Sequence, residues 1–266
     1  LLQWLQQHCQ VTCRFTVVMS GWFGLLKAMR PQQWLKNVLL FVPWLTSQLP
    51  FSLVSLLHLL LAFIIFSLMA SSVYLLNDLM DLQHDRQHTT KKNRPLAAGD
   101  VSLRLAWLCW PLCVMLAVGL SCWLMPMYFT MCLCGYWCVT LCYSLYLKQY
   151  VIVDVFVLST LYALRVLAGA MAVSVALSYW LLTFSMFLFF SLALVKRMSE
   201  LVRVKETIKA KQALLGRGYC YDDRWLILVM GVSAAYMSVV VLALYIEDTT
   251  VASNYHYPGL IWLVCP

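Results

Sequence analysis

Long apolar runs separated by short polar segments make up most of the chain. The complete runs are close to the roughly twenty residues that an α-helix needs to cross a bilayer, and the period-two alternation of a membrane β-barrel is missing. The pattern predicts an all-α, polytopic transmembrane helical bundle with about seven complete spans and a truncated eighth. The predicted spans are residues 38–49, 53–76, 103–124, 127–147, 151–175, 180–195 and 226–246, and the eighth begins at 259.

Each end of the chain lacks a complete span. Residues 1–20 mix Gln, His and Arg14 with apolar residues, and they suit either an interfacial helix or the end of an upstream region. We expect residues 21–266 to form one transmembrane domain. Because the chain begins at Leu1 and its last apolar run stops at Pro266, we expect this domain to be truncated at its C-terminus.

The distribution of charge supports this membrane topology. The chain is 63% hydrophobic and only 11% charged, which is typical of a polytopic membrane protein. When the loops are taken alternately, every Lys and Arg except Arg14 and Arg165 falls in one set, and the positive-inside rule makes that set cytoplasmic. The net charge of +8 therefore reflects topology rather than nucleic-acid binding.

The most polar interruption is the segment 74–99, YLLNDLMDLQHDRQHTTKKNRPLAAG. If the preceding helix continues through it, Asn77, Asp81 and Asp85 lie at i, i+4 and i+8 and share a face. Asp78 lies one step round the same helix. Oxygen ligands of this kind suit magnesium, so we predict a magnesium site at these four residues, with Asp81 and Asp85 as the catalytic carboxylates. The alternative is a solvated, charged loop between two membrane helices.

Basic side chains lie on both sides of this acidic segment. Those that follow it could contact the phosphates of a diphosphate, to which arginine offers a bidentate fork. The upstream segment RPQQWLKN adds a compact group of hydrogen-bond donors. We assign Lys36 and Asn37 to the diphosphate, and Arg30 and Gln33 to a second substrate. The downstream residues assigned to the diphosphate are Arg86, His88, Lys91 and Arg94.

A second group of candidate residues lies near the fifth span. The segment YSLYLKQYVIVD contains Tyr143, Lys148 and Asp154, and Arg165 follows about three helical turns later on the same face. An arginine at membrane depth normally faces an interior cavity, so we expect these four residues to contact the second substrate. The alternative for Arg165 is a structural partner of a buried carboxylate or carbonyl. Gly169 predicts close helix packing. We expect Lys196, Arg197 and Glu200 to end the sixth helix, and we interpret the charges that follow as a solvated loop without a catalytic role; they are Arg203, Lys205, Glu206, Lys209 and Lys211.

These motifs resemble a known family. NDLMDLQHD, followed by RPLAAG, is similar to the first signature of the UbiA superfamily of intramembrane prenyltransferases. The resemblance is closer to its decaprenyl-phosphate phosphoribosyltransferase branch, which shares RPxQWxKN, YSxxLKxxxxxD, LRxxAG and the KR-x-x-E end of the sixth helix. One departure is Thr89 after His88, where the branch often has proline. The resemblance implies a UbiA-like bundle in a bacterial inner (cytoplasmic) membrane, with a role in cell-envelope biosynthesis.

The resemblance also implies an activity. This is the magnesium-dependent transfer of 5-phosphoribose from phosphoribosyl pyrophosphate to a polyprenyl phosphate, with release of pyrophosphate. Asp154 stands alone where enzymes that bind prenyl diphosphates between two metal clusters have a pair of acids, which favours a basic second site. The alternative is transfer of a prenyl group from a prenyl diphosphate to an aromatic or other small acceptor, and a second carboxylate close to Asp154 would favour it. A transporter would not explain the cytoplasmic cluster of acids and bases.

Overall fold

The described residues of the computed structural model, 21–47, 50–87, 91–207 and 218–247, fold into helices and short connections. Short 3₁₀-helices cover Pro31–Phe41, Lys91–Asn93, Leu147–Gln149 and Tyr221–Asp223. The α-helices are α1 (Gly21–Ala28), α2 (Val42–Thr46), α3 (Leu53–Met80), α4 (Leu82–Gln87), α5 (Pro95–Ala98), α6 (Leu103–Leu124), α7 (Met127–Leu145), α8 (Val153–Ala172), α9 (Tyr179–Thr207) and α10 (Arg224–Glu247).

Within these described ranges, six helices are long and apolar enough to cross a membrane. They are α3, α6, α7, α8, α9 and α10. Their bounds lie within about four residues of the predicted spans, except that α9 extends twelve residues beyond the predicted end of the sixth span at 195. The all-α class is confirmed. The predicted eighth span and residues 1–20 lie outside the described residues.

The predicted first span, 38–49, is replaced by two short helical pieces. A 3₁₀-helix, Pro31–Phe41, runs directly into the five-residue helix α2. Prolines occupy the first turn of each piece, where the missing N–H costs no helical hydrogen bond. Arg30, just before Pro31, has a φ of 54°, in the left-handed region. The backbone therefore turns between α1 and this 3₁₀-helix.

The described chain divides into two compact units. The first contains residues 21–33 and 70–115. Its apolar core packs α1 against the second half of α3, α5 and the start of α6. The buried core residues are Leu25, Ala28, Leu75, Leu79, Leu96, Val101 and Ala106.

The second unit contains residues 34–69 and the described residues from 116 onward. In it α9 packs against both α8 and α10, and α7 packs against α8. One core cluster is formed by Val155, Ala193, Leu194, Leu201, Tyr219 and Ile227. A Cβ atom at Gly169 of α8 would come within 2.8 Å of the Leu40 Cα, so the 3₁₀ backbone rests directly on this glycine. The close packing predicted at Gly169 is confirmed.

Candidate functional site

The acidic segment keeps its helical spacing although α3 ends at Met80. The Asp81 amide donates to the Asn77 carbonyl at 2.9 Å, and the Asp85 amide donates to the Asp81 carbonyl at 2.8 Å. Asp78 and Asp85 are two turns apart, so they lie on one face, and both carboxylates are buried. Asn77 and Asp81 are partly buried. The face that carries the buried acids is therefore that of Asp78 and Asp85.

Three cations surround these two carboxylates. Arg30 Nη2 lies 2.5 Å from Asp78 Oδ1. Arg94 Nη1 bridges the acids, at 3.2 Å from Asp78 Oδ1 and 2.5 Å from Asp85 Oδ2. Lys91 Nζ is 4.0 Å from Asp85 Oδ1. Arg94 and Lys91, assigned to the diphosphate, thus pair with the acids, and Arg30, assigned to the second substrate, lies with them as well.

The unusual backbone of Arg30 directs its side chain toward the acids. A positive φ is uncommon outside glycine, and such strained positions cluster at functional sites. The guanidinium carbon lies 5.2 Å from the centre of the Tyr74 ring, a cation–π contact on the same helix as Asp78. Arg30 is therefore held by an aromatic face and a buried carboxylate together.

A cavity of about 330 Å³ opens beside this ion-pair network within the first unit. Four cations and one carboxylate contribute to its lining, and Pro95 is the one apolar side chain among the described lining residues. Gln33, assigned to the second substrate, also lines it. Lys27, at the end of α1, was not singled out from the sequence. The charged and amide side chains of the lining include Lys27, Arg30, Gln33, Asp78, Lys91 and Arg94.

The two buried carboxylates retain acceptor capacity for a metal ion. Asp78 Oδ2 and Asp85 Oδ1 are buried and accept no hydrogen bond from any described residue, which is costly for a carboxylate unless a cation takes it up. Two carboxylates suit magnesium, which keeps waters and completes its shell with substrate phosphate oxygens. A cluster of three Asp, Glu, His or Cys side chains is not found in the described ranges. Arg86 is exposed, and His88 lies outside the described residues.

In the second unit, Arg165 is buried among neutral hydrogen-bond partners. Its Nε donates to Asn37 Oδ1 at 3.1 Å, and its Nη2 donates to the Tyr136 hydroxyl at 2.7 Å. Its Nη1 donates to the Leu161 carbonyl at 2.6 Å, and Asn37 in turn donates to Ser67. Asn37, predicted to bind the diphosphate, is thus a partner of Arg165. The sequence did not indicate this pairing.

Aromatic rings flank the cations of this cluster. The Arg165 guanidinium carbon lies 4.8 Å from the centre of the Tyr136 ring and 5.4 Å from that of Tyr162. Lys36 Nζ lies 5.9 Å from the centre of the Tyr162 ring. Aromatic faces stabilise cations through cation–π contacts. Two positive charges thus lie beside the Tyr162 ring, and none of the described residues places a carboxylate on Arg165.

Asp154 is fully buried in a closed network. Arg197 Nε and Nη2 approach its two oxygens at 2.5 and 2.8 Å, and the Tyr143 hydroxyl donates to Oδ1 at 2.9 Å. Arg197 also binds Glu200 at 2.6 Å. Asp154 and Tyr143, which were assigned to the second substrate, therefore bind each other and Arg197. Arg197 is the residue that sequence reasoning missed, although it stands in the KR-x-x-E motif.

Helix α9 continues to Thr207, past the predicted end of the sixth helix at Lys196, Arg197 and Glu200. Tyr219, which follows α9 in the chain, is buried. Tyr219 accepts a hydrogen bond from the Ile152 amide at 3.0 Å, and burial raises the pKa of its hydroxyl. The Gly218 amide donates to the Gln149 carbonyl at 3.0 Å. These contacts fix the α7–α8 connection, which carries Lys148.

Known proteins match the chain in sequence and in fold. The sequence pattern of the UbiA prenyltransferase family matches residues 38–265. Decaprenyl-phosphate phosphoribosyltransferase of Mycobacterium tuberculosis is 36% identical over 170 residues, which cover 62% of this chain and 55% of that protein. Nodulation protein NoeC of Azorhizobium caulinodans is 38% identical over 238 residues, covering 86% and 73%.

A solved structure shares the fold. A UbiA homologue from Archaeoglobus fulgidus bound to DMAPP and Mg²⁺ superimposes with a TM-score of 0.73 at 19% identity, over 91% of this chain and 84% of that one. At this identity the likeness shows the fold alone. The chain spans about half the length of the first curated relatives that it matches.

Proposed function

The chain belongs to the UbiA prenyltransferase family, and on that premise we propose that it transfers 5-phosphoribose from phosphoribosyl pyrophosphate to a polyprenyl phosphate. The acceptor's phosphate oxygen forms a bond to the anomeric carbon of the ribose. The bond from that carbon to the pyrophosphate breaks, and pyrophosphate leaves with the electron pair. The chain is a polytopic integral membrane protein, and we place its site on the cytoplasmic face of a bacterial inner membrane because its basic loops cluster on that side.

The polar lining of the cavity in the first unit is the observation that carries this proposal. Phosphoribosyl pyrophosphate is compact, hydrophilic and highly charged. A cavity of about 330 Å³ is at the small end of small-molecule sites. Its cations and amides suit a sugar with phosphates, whereas a prenyl diphosphate would need apolar surface next to its diphosphate. The named activity of the mycobacterial relative supports the same donor.

Magnesium fits the buried acids of this site. The Asp78 and Asp85 oxygens that accept no hydrogen bond from a described residue would hold it, and we assign Asn77 and Asp81, from the same helical segment, as further contacts through the waters that magnesium keeps. When bound, magnesium would neutralise charge on the departing pyrophosphate. Arg94 and Arg30 would orient the diphosphate and stabilise its developing charge through charge-assisted hydrogen bonds. The resulting donor site draws its charged residues from one unit of the fold.

The acceptor needs no general base. A phosphate monoester has a second pKa near 6, so its oxygen is largely anionic at neutral pH. No histidine is therefore required to remove a proton. We assign the acceptor phosphate to Arg165 and Lys36, beside the Tyr162 ring, and to Lys148 in the connection that Tyr219 fixes.

Prenyl transfer from a prenyl diphosphate to an aromatic or other small acceptor is the second candidate. One observation favours it, because Glu200 supplies a second carboxylate close to Asp154. However, Arg197 binds both carboxylates, and both Asp154 oxygens already accept hydrogen bonds. A cation from the chain thus occupies the position where a second metal cluster would form. This arrangement favours the phosphoribosyl donor.

The proposed function can be tested with membranes that contain the full-length protein. They would be incubated with phosphoribosyl pyrophosphate labelled in the ribose, a polyprenyl phosphate and magnesium. We expect label to enter the lipid phase, and to stay in the aqueous phase when EDTA is added. A parallel incubation would contain prenyl diphosphate and an aromatic acceptor. Consumption of prenyl diphosphate without labelled lipid would reverse the order of the two candidates.

A further inference from the structure

The charges of the cavity are unequally shared between its two sides. Arg30, Lys91 and Arg94 are all paired with the buried carboxylates of Asp78 and Asp85. Lys27 lines the same cavity, but its Nζ forms no ion pair or hydrogen bond with any described residue. Among the four lining cations, Lys27 is thus the one that is not paired with Asp78 or Asp85. Its charge is available to an anionic group of a ligand in the cavity.

The position of Lys27 is fixed by local structure. It lies in the last turn of α1, where the helix dipole favours a cation, and its carbonyl accepts the Arg30 amide at 3.2 Å. The turn that places Arg30 on Asp78 therefore sets the distance of Lys27 from the acids as well. Lys91 and Arg94 come from a different segment, the 3₁₀-helix Lys91–Asn93 and the residue that precedes α5. The α1 side of the cavity therefore contributes one cation that is paired with an acid, Arg30, and one that is not, Lys27.

We infer that Lys27 binds the 5-phosphate of the donor, and so selects a diphosphate that carries a second phosphate group. The inference rests on the proposed function and deepens it. A phosphate monoester carries about −1.5 to −2 charges at pH 7, and an exposed lysine is a compact, mobile point charge that suits such a group. A prenyl diphosphate has no second phosphate group for Lys27 to bind. Lys27 is thus a specificity residue that stands apart from the metal and leaving-group contacts.

Inhibition by the two halves of the donor tests this assignment. Transfer rates would be measured for full-length wild type, Lys27→Met and Lys27→Arg, with ribose 5-phosphate or pyrophosphate as inhibitors. Loss of one charged contact should raise the KM for the donor and the inhibition constant of ribose 5-phosphate roughly tenfold to a hundredfold in Lys27→Met. The inhibition constant of pyrophosphate should stay unchanged, and Lys27→Arg should restore most of the affinity.

Lys92 provides a matched control. It is exposed and basic, and it neighbours Lys91 but does not line the cavity. Lys92→Met should leave all three constants unchanged. If wild type transfers phosphoribose while Lys27→Met leaves ribose 5-phosphate inhibition unchanged, Lys27 only anchors the chain at the interface, and the inference is overturned while the proposed function stands. If wild type takes no label into lipid, both are overturned. An equal loss for both inhibitors would also overturn the inference.

Discussion

The buried ion pair between Asp154 and Arg197 can be dissected with single and double variants. Asp154→Asn leaves a guanidinium that is 1% exposed without its counter-ion, and Arg197→Met leaves a carboxylate that is 0% exposed with the Tyr143 hydroxyl alone. Removing one partner of such a pair costs about 3–5 kcal/mol, because the remaining charge is buried and uncompensated. For a chain of this length, that loss lowers the Tm by roughly 6–20 °C.

The double variant removes both charges at once. Asp154→Asn with Arg197→Met keeps the volume of the network, and the Tyr143 hydroxyl can still donate to the new side chain. Replacing a complete buried pair with neutral groups is often neutral or stabilising. We therefore expect the double variant to unfold within about 1 kcal/mol of wild type, so the single-variant losses do not add.

Two measurements check this prediction. Thermal unfolding of the purified protein in detergent, followed by its helical circular dichroism, gives the three Tm shifts. The rate of the proposed phosphoribosyl transfer is the second measurement. We expect the double variant to keep this activity, because Asp154 is bound within the network and should not contact substrate or metal. A double variant as unstable as the single ones would refute the ion-pair energetics. A stable double variant without activity would show that the Asp154 carboxylate also serves the reaction.

Three further predictions concern packing, pH and the metal. Gly169→Ala should lower the free energy of unfolding by about 1–3 kcal/mol, because the added Cβ would meet the Leu40 backbone. Gly119→Ala is the control, because a Cβ there has open space, and equal Tm shifts for the two variants would contradict the prediction. The pKa of Tyr219 is raised in the folded protein. The contribution of Tyr219 to the free energy of unfolding is therefore fully present below the ordinary tyrosine pKa near 10, and it is lost as the pH rises through the raised value. Tyr219→Phe should abolish that alkaline part of the stability profile, and unfolding from pH 8 to 11 tests it. Asp81→Asn should abolish magnesium-dependent turnover with expression intact, and retained turnover would remove Asp81 from the metal site.

The positions of the membrane-spanning helices were predictable, because a helix in contact with lipid must be apolar. The apolar run 103–124 coincides with α6, Leu103–Leu124, because a helix in lipid must be apolar along its length. The run 38–49 was misleading, because apolar content does not distinguish an α-helix from a 3₁₀-helix. An eleven-residue 3₁₀-helix is unusual, and the spacing of Pro31 and Pro43 does not predict it.

The acids were predictable, but their partners were not. Three carboxylates at helical spacing stand out in an apolar chain, and two of them, Asp78 and Asp85, prove to be buried. Arg30 lies 48 residues before Asp78, and Arg197 lies 43 residues after Asp154. Pairings over such distances depend on tertiary packing, which leaves no periodic signal in one sequence. The sequence therefore indicated which acids belong to the proposed donor site, but not which basic residues pair with them.

The contact between the 3₁₀-helix and α8 sets the order in which the chain can be assembled during synthesis. Asn37 and its partner Arg165 are 128 residues apart, so the ribosome releases the 3₁₀ segment long before α8 exists. Backbone that is not α-helical is tolerated at membrane depth only where protein covers it, and Leu40 finds that cover on Gly169. A segment that is translated early can therefore acquire its cover only after α8 has been made.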